Sequence, residues 1–402
     1  MTAAAHGTRV RGLDDLQVEG RRVLVRVDFN IPMEDSRIVN DRRIRASLPT
    51  IETLRRRGAK ILLVTHLGRP RGTVVDNLRV APVARRLGEL IGEKVPVAAD
   101  VVGPSAQKLV SSLRDGEVGM LENVRFEPGE EANDPAFAAR MAALADAYVN
   151  DAFGTAHRAH ASTEGVAHHL PSAAGLLMGR ELEVLGGVLE SPRRPLVAII
   201  GGAKISSKIG VIRNLVSLVD ELWIGGAMAC TFYRALGEET GTSLVEEDQV
   251  PVAAGLLEQV RDSRCDLRLP VDLVVASAPA AGATTAVVAW KEIPADRTVV
   301  DVGPDTVALI SKSCAAAGTV VWNGPLGIYE IEQFAQGTRA VARALAASDA
   351  VSVIGGGDLA AAVEAVGVGD RITHVSTGGG ATLEFLEGRD LPGVAALRSP
   401  QR

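Results

Sequence analysis

The sequence predicts an α/β protein made of two doubly wound, parallel-sheet (Rossmann-like) domains joined by a hinge helix. Three observations carry this expectation. At 402 residues the chain is too long for one ordinary core. Short apolar runs alternate with amphipathic, helix-like stretches nearly from end to end. The alternation also starts afresh near Leu196, after the segment "MGRELEVLGGVLESPRRP" (178–195), which is amphipathic and closes in Ser-Pro and Pro195.

The first half reads in order. "RRVLVRVDF" (21–29), "AKILLVTH" (59–66), "EVGMLEN" (117–123) and "DAYVNDAF" (146–153) are strand-like. Segments such as "RIRASLPTIETLRRRG" (43–58) and "LRVAPVARRLGELIG" (78–92) separate them as helices. Strands apolar on both faces belong to parallel sheets covered by helices. The expected boundaries are 1–177 for the first domain, 178–192 for the hinge, 193–385 for the second domain and 386–402 for a tail. Aromatics make up only 3% of the chain, so the cores must be aliphatic.

Composition excludes several function classes. A net charge of −6 argues against a general nucleic-acid binder, which needs surplus positive charge. No apolar run is long enough to span a membrane, and "MTAAAHGTRVRG" has no apolar signal region, so a cytoplasmic protein is expected. Cys230, Cys265 and Cys314 lack CxxC spacing and read as reduced, buried thiols rather than a zinc site or disulfide framework.

In open parallel sheets ligands sit beyond the carboxyl ends of the strands. In the first half those ends carry Asp28 and Asn30 in "VDFNIP", His66 and Arg69 in "THLGRP", Arg125 in "NVRF", and His157, Arg158 and His160 in "GTAHRAH". Arg43 adds a guanidinium at the head of a helix. A single arginine is ordinarily a solvated surface group, and two histidines without a third ligand are a poor metal site. Their recurrence at successive strand ends is the signal. Guanidiniums match phosphate and carboxylate oxygens, so a small polyanion is expected, with Asp28 and Asn30 on its hydroxyls or holding the arginines.

In the second half the strands end in glycine: "LVAIIGGAK" (196–204), "ELWIGGAM" (221–228), "VSVIGGGD" (351–358) and "HVSTGGGA" (374–381). Glycine lets a phosphate approach the backbone, and a following helix offers free N–H groups. One such turn is usually steric; four in one half suggest phosphates. Only seven of the 43 basic residues are lysines, yet Lys204 and Lys208 stand four apart after the first turn, as if on one helical face. There is no GxxxxGK[ST] and no GxGxxG, which disfavours a Walker-type NTPase and a dinucleotide dehydrogenase. Asp358 suits Mg²⁺, which takes one or two carboxylates plus nucleotide phosphates. An anion site in one half and a phosphate cradle in the other suggest phosphoryl transfer.

The chain resembles the phosphoglycerate kinase family. "RVDFNIP", "DRRIRASLPTI", "THLGRPRG", "LENVRFEPGEE", "VNDAFGTAHRAHAST", "GGAKISSKIGVI", "WNGPLGIYE", "GGGD" and "STGGGATLEFLEG" occur in that family's order. The resemblance implies reversible phosphate transfer between 1,3-bisphosphoglycerate and MgADP, giving 3-phosphoglycerate and MgATP. It implies a monomer with small-molecule partners, hinge closure, and a tail packed back on the first domain. Asp28, Asn30, Arg43, His66, Arg69, Arg125 and Arg158 would form the phosphoglycerate site. Gly201, Gly202, Lys204, Lys208, Asn323, Glu330, Gly355, Gly356, Gly357, Asp358 and the glycines at 378–380 would serve the nucleotide. Arg43, Lys208, Gly356 and Gly379 would surround the transferring group, Glu330 would meet the ribose, and Asp358 would hold Mg²⁺.

Departures from the family pattern lie mainly in the second half. Leu359 stands where Ser or Thr usually follows "GGGD", and offers no hydroxyl to phosphate. Ala227 replaces a glycine, Ser207 an acidic residue, and Val299-Val300 the usual Gly-Leu. These leave open a paralogue acting on a related phosphorylated or phosphonylated hydroxy acid, or a catalytically weak binding protein. The retained Arg43, Lys204, Lys208 and Asp358 argue against the latter.

Overall fold

The computed structural model describes residues 9–34 and 37–398. The chain divides into two compact units. One holds residues up to Gly186 together with those from Asp390 onward; the other is Gly187–Arg389.

The first unit is built on five parallel strands: β1 (Arg22–Arg26), β2 (Lys60–Val64), β3 (Val118–Met120), β4 (Ala147–Asn150) and β5 (Ser172–Ala174), in the order β3-β2-β1-β4-β5. Val23, Val25, Ile61 and Leu63 from the central strands share a core with Ile44, Ile51 and Leu54 of helix α1 (Arg42–Arg56) and with Val83 and Leu87 of α2 (Ala81–Ile91). The inward residues of α1 fall at helical spacing, so burying one apolar stripe fixes the rotation of the helix and the direction of Arg43 in its first turn. The strand order reverses around β1, and the segments after β1, β2, β3 and β4 leave the same edge of the sheet.

Residues from Asp390 onward belong to this unit. The amide of Gly393 donates to the Ala156 carbonyl at 2.8 Å, and Val10 pairs with Arg398 in an antiparallel bridge. Helix α3 (Leu176–Glu190) contains the boundary between units. Its first turn is held by Asp151, whose Oδ1 accepts from the amides of Leu177 (2.9 Å) and Met178 (3.3 Å). Burial pushes this carboxyl up to about 7.

The second unit carries a six-stranded parallel sheet of β6 (Leu196–Ile200), β7 (Glu221–Ile224), β8 (Asp266–Arg268), β12 (Thr319–Asn323), β13 (Val351–Gly355) and β14 (His374–Val375). Their order is β8-β7-β6-β12-β13-β14. A three-stranded antiparallel sheet is added to it, β9 (Asp272–Ala276), β10 (Thr285–Ala289) and β11 (Thr298–Val302), with β9 in the middle. Strand–helix alternation did not anticipate this sheet: β10 is largely exposed, and its small residues resemble a loop until β9 supplies a ladder. The main core gathers Trp223, Trp322 and Ile354 with Leu359 and Val363. The three cysteines are free and buried, and among the described residues no helix is long and apolar enough to cross a membrane.

Candidate active site

In the first unit Asp28 and Asn30 anchor the segment after β1 to its neighbours. One Asp28 oxygen lies 3.0 Å from Arg43 Nη1, which also donates to the Asn30 carbonyl at 3.0 Å. The Asn30 side chain accepts from the Gly68 amide at 2.9 Å, tying the segment after β1 to the segment after β2. Asp28 and Asn30 thus do hold an arginine. Arg125 is buried at the end of the β3 segment; it donates to the Gly68 carbonyl at 2.8 Å and lies 3.3 Å from the Glu131 carboxylate. Arg69 and Arg158 are exposed.

His66 shows what this arrangement does. Burial pushes its imidazole well below the ordinary value, and the charges of Arg26, Arg125, Arg43 and Arg158 push it further. His160 is brought down to about 4 by burial and then by Arg125, Arg26, Arg158 and His157. Positive charge therefore converges from three strand ends, those of β1, β3 and β4, and from α1, as a polyanion site needs. The two histidines lie in a field that would oppose a cation, and among the described residues no group of three or more His, Cys, Asp or Glu could hold a metal.

Sequence reasoning missed Arg26, Ser162 and Glu130. Arg26 is 1% exposed at the end of β1, and its Nε donates to Ser162 Oγ at 2.8 Å. Ser162 donates from its backbone N and its Oγ to the Glu130 carboxylate, at 2.9 and 2.6 Å. Burial raises Glu130, with Arg26 opposing. The signal was available: a charged residue inside an apolar strand that is covered on both faces must be buried and partnered.

In the second unit, Gly201 and Gly202 follow β6, and Lys208 is the N-cap of α4 (Ile209–Leu218). Asn323 ends β12, and Gly355–Gly357 lead from β13 into helix α5 (Gly357–Val366). Lys204 is exposed in the turns before α4, so Lys204 and Lys208 do not share a helical face as the spacing predicts. Gly202 turns the chain at φ +114° before the helix begins, and Gly201 admits the Pro325 carbonyl oxygen, which a Cβ there would meet at 2.2 Å. Lys208 Nζ donates to the Gly201 carbonyl (2.7 Å), Asn323 Oδ1 (2.7 Å) and the Asn323 carbonyl (3.2 Å). Burial lowers this ammonium to about 8, and the Asp358 carboxylate acts in the opposite direction.

The Asn323 amide then points its Nδ2 at the glycines. That buried nitrogen has no hydrogen-bond partner, and a Cβ at Gly355 would stand 3.0 Å from it. Helix α5 begins without a side-chain cap, at Gly356 with φ +100°. Free helix N–H groups, an unmatched amide donor and a buried ammonium form a cradle for an anion. Gly379 precedes α6 (Gly380–Leu386), also without a side-chain cap.

Beside the cradle is a cleft of about 540 Å³, with Leu244, Val299, Val300 and Leu326 on its apolar walls and Glu330 and Asp358 at polar positions. This suits a flat apolar base followed by a ribose and phosphates. The Ala227 methyl lines the cleft from an ordinary helical backbone conformation, whereas Gly226 has φ +69° and a Cβ there would lie 2.4 Å from the Gly202 carbonyl oxygen. Of that pair, only Gly226 must be glycine.

Two departures now have physical accounts. Leu359 is fully buried in the apolar core, so its side chain is directed away from the cradle rather than failing to reach phosphate. Ser207 bonds locally to the Lys204 carbonyl, while a carboxylate is supplied to the same turn by Glu246, which accepts from Ser206 N and Oγ at 3.0 and 2.5 Å.

Residues 13–389 match the family model described as "Phosphoglycerate kinase". Phosphoglycerate kinase of Moorella thermoacetica is 56% identical over 385 residues, 96% of this chain and 98% of that protein. That of Pelotomaculum thermopropionicum is 54% identical over 383 residues, 95% and 98% of the two chains. Among solved structures, phosphoglycerate kinase from Coxiella burnetii has 42% identity and a TM-score of 0.88, covering 97% of this chain and 99% of its own.

Proposed function

The chain belongs to the phosphoglycerate kinase family, and we propose that it transfers phosphate reversibly between 1,3-bisphosphoglycerate and MgADP, giving 3-phosphoglycerate and MgATP. The observation that carries the reading is the division of labour within the chain. One unit concentrates Arg43, Arg125, Arg158 and His66 around a small site. The other presents backbone N–H groups, Lys208 and an orphaned Asn323 amide beside an apolar cleft. Relatives named for this activity at over 50% identity favour it over the variant-acceptor reading and over a silent binding protein.

The acid substrate binds among Asp28, Asn30, His66, Arg69, Arg125 and Arg158, and Arg43 reaches the transferring group. The nucleotide binds along Gly201, Gly202, Lys204, Lys208, Asn323, Glu330, Gly355–Gly357 and Asp358, with Gly356 and Gly379 offering backbone donors. A carboxylate is already a nucleophile, so no general base is needed. The protein positions the reactants and supplies positive donors to the migrating phosphoryl group. Asp358 fits Mg²⁺: it is an exposed carboxylate in the first turn of α5, and the nucleotide's own phosphates complete a donor set of the hard oxygens that ion takes. The ion offsets phosphate charge. Helix α3, which carries the unit boundary, is assigned as the hinge. The free, buried cysteines support a cytoplasmic enzyme and the net charge of −6 one without nucleic-acid partners, while a monomer is what the family resemblance implies.

The test is ATP-dependent acyl-phosphate formation trapped with hydroxylamine, with 3-phosphoglycerate beside shorter phosphonate and other hydroxy-acid analogues. Turnover fastest on 3-phosphoglycerate is expected. Turnover on an analogue alone would establish a specialised carboxylate kinase, and silence on all would overturn the kinase reading and return the binding-protein one.

A further inference from the structure

Arg26 is the most deeply buried arginine at the acid-substrate site, and it lies against His66. Its three nitrogens are all committed: Nε to Ser162 Oγ at 2.8 Å, Nη1 to the Val27 carbonyl at 2.5 Å, and Nη2 3.2 Å from His66 Nδ1. A guanidinium has donors and no acceptor, and it does not lose its proton in proteins. At 3.2 Å from Arg26 Nη2, then, His66 Nδ1 must be the acceptor and must be bare. The ring's one proton is consequently on Nε2.

We propose that Arg26 is a positioning residue for the acid substrate: it fixes His66 as a neutral imidazole with its proton on Nε2, leaving that N–H as a permanent donor to a substrate oxygen. The inference deepens the acid-substrate reading above and rests on it.

The groups around the ring agree with this assignment. Asp28 is the acid that faces it, but Asp28 Oδ1 stands 3.9 Å from Nδ1, beyond hydrogen-bond range, and its other oxygen is held by Arg43 at 3.0 Å. Arg26 on β1, Arg43 on α1, Arg125 after β3 and Arg158 after β4 all disfavour the imidazolium, as does burial of the ring. Protonating Nδ1 would set a donor against a donor in a buried pocket. Arg26 itself is kept in place from behind by Ser162, which is anchored on the fully buried Glu130. The relay Glu130–Ser162–Arg26–His66 thus runs from the interior to the site: Arg26 can only donate, so Ser162 Oγ accepts from it while donating to Glu130, and His66 Nδ1 accepts at the other end.

The test begins with the unaltered full chain, labelled with ¹⁵N-histidine and observed by NMR, the His66 signals being assigned by their loss in His66→Gln. A proton on Nε2 and a bare Nδ1, unchanged from about pH 5.5 to about pH 8.5, is expected. A proton on Nδ1, or titration near the free imidazole value, would overturn the proposal without any variant having to fold. In Arg26→Met the ring should show mixed tautomers or begin to titrate. KM for 3-phosphoglycerate should rise about tenfold while kcat changes less than about threefold, the loss of one hydrogen bond to a charged group. Ser162→Ala, which removes the Nε anchor but keeps the guanidinium, should shift the same signals less. If Arg26→Met leaves the ring in the single Nε2–H form, Arg26 does not position it. Failure of the acid-substrate reading would look different: 3-phosphoglycerate would not bind the unaltered chain, while the tautomer result would stand.

Discussion

The two sites are made of different material. The first is a site of side chains: guanidiniums and an imidazole set in place by carboxylates, with Asp28 on Arg43 and Glu130 behind Ser162 and Arg26. The second is chiefly a site of backbone, in which glycine turns and uncapped helix starts present N–H groups and one lysine supplies the charge. A side-chain site fails one group at a time, since each arginine can be removed without moving its neighbours far. A backbone site fails by displacement, because adding atoms shifts the surface on which the ligand rests.

The largest break should come from the first. Arg43→Ala removes the charged donor expected at the transferring group, and kcat should fall by about 10²–10³-fold, the usual cost of one such donor. The fold should be retained, because Arg43 lies at the half-buried start of α1 and contributes nothing to the core of that helix. Near-normal turnover in a variant with unchanged circular dichroism would remove Arg43 from the chemistry.

Gly226→Ala probes the other material and should act next most strongly. The added methyl meets the Gly202 carbonyl oxygen at 2.4 Å and the Gly202 nitrogen at 2.6 Å, with φ at +69°. The backbone of one turn must move. A shift near 1 Å at a positioned ligand can cost about 10²-fold, and here it should fall on nucleotide affinity. Calorimetry should show weakened ADP binding with 3-phosphoglycerate binding unchanged. Weakening of both ligands alike would mean that the two sites are not built independently.

The same contrast accounts for what the sequence disclosed. Arginines at strand ends were legible, because one chemical type recurring along a topologically defined edge points to a single shared ligand. The glycine turns were legible as a group, although their individual duties were not. Gly226 and Ala227 look equivalent in "GGAM", and only the backbone angles separate the obligatory glycine from the tolerated alanine. Arg26 could be read as a charge inside an apolar strand, but its partner could not, because its Ser162 anchor lies more than a hundred positions away. The antiparallel sheet was hidden because β10 has almost no buried face to leave a pattern. Lys204 and Lys208 misled through their spacing, which implies a helix that begins only at Ile209.

Leu359 gives the finest test, because it asks whether an unusual residue beside the cradle belongs to the cradle at all. It lies in the first turn of α5, one residue after Asp358, yet its side chain is 0% exposed and packs in the core that holds Ile354, Trp322 and Val363. What that turn offers an anion is its backbone N–H, which any side chain would leave in place. Leu359→Ala should therefore lower stability by about 2–5 kcal/mol, the range for emptying a buried leucine site, while kcat and nucleotide KM stay within about twofold. Leu359→Thr adds the discriminating arm. If the side chain belongs to the core, the hydroxyl is buried among apolar groups and stability falls with no gain in affinity. If instead Leu359→Thr tightens ADP binding by tenfold or more, the hydroxyl reaches the phosphates, and the second site depends on side chains more than its backbone geometry indicates.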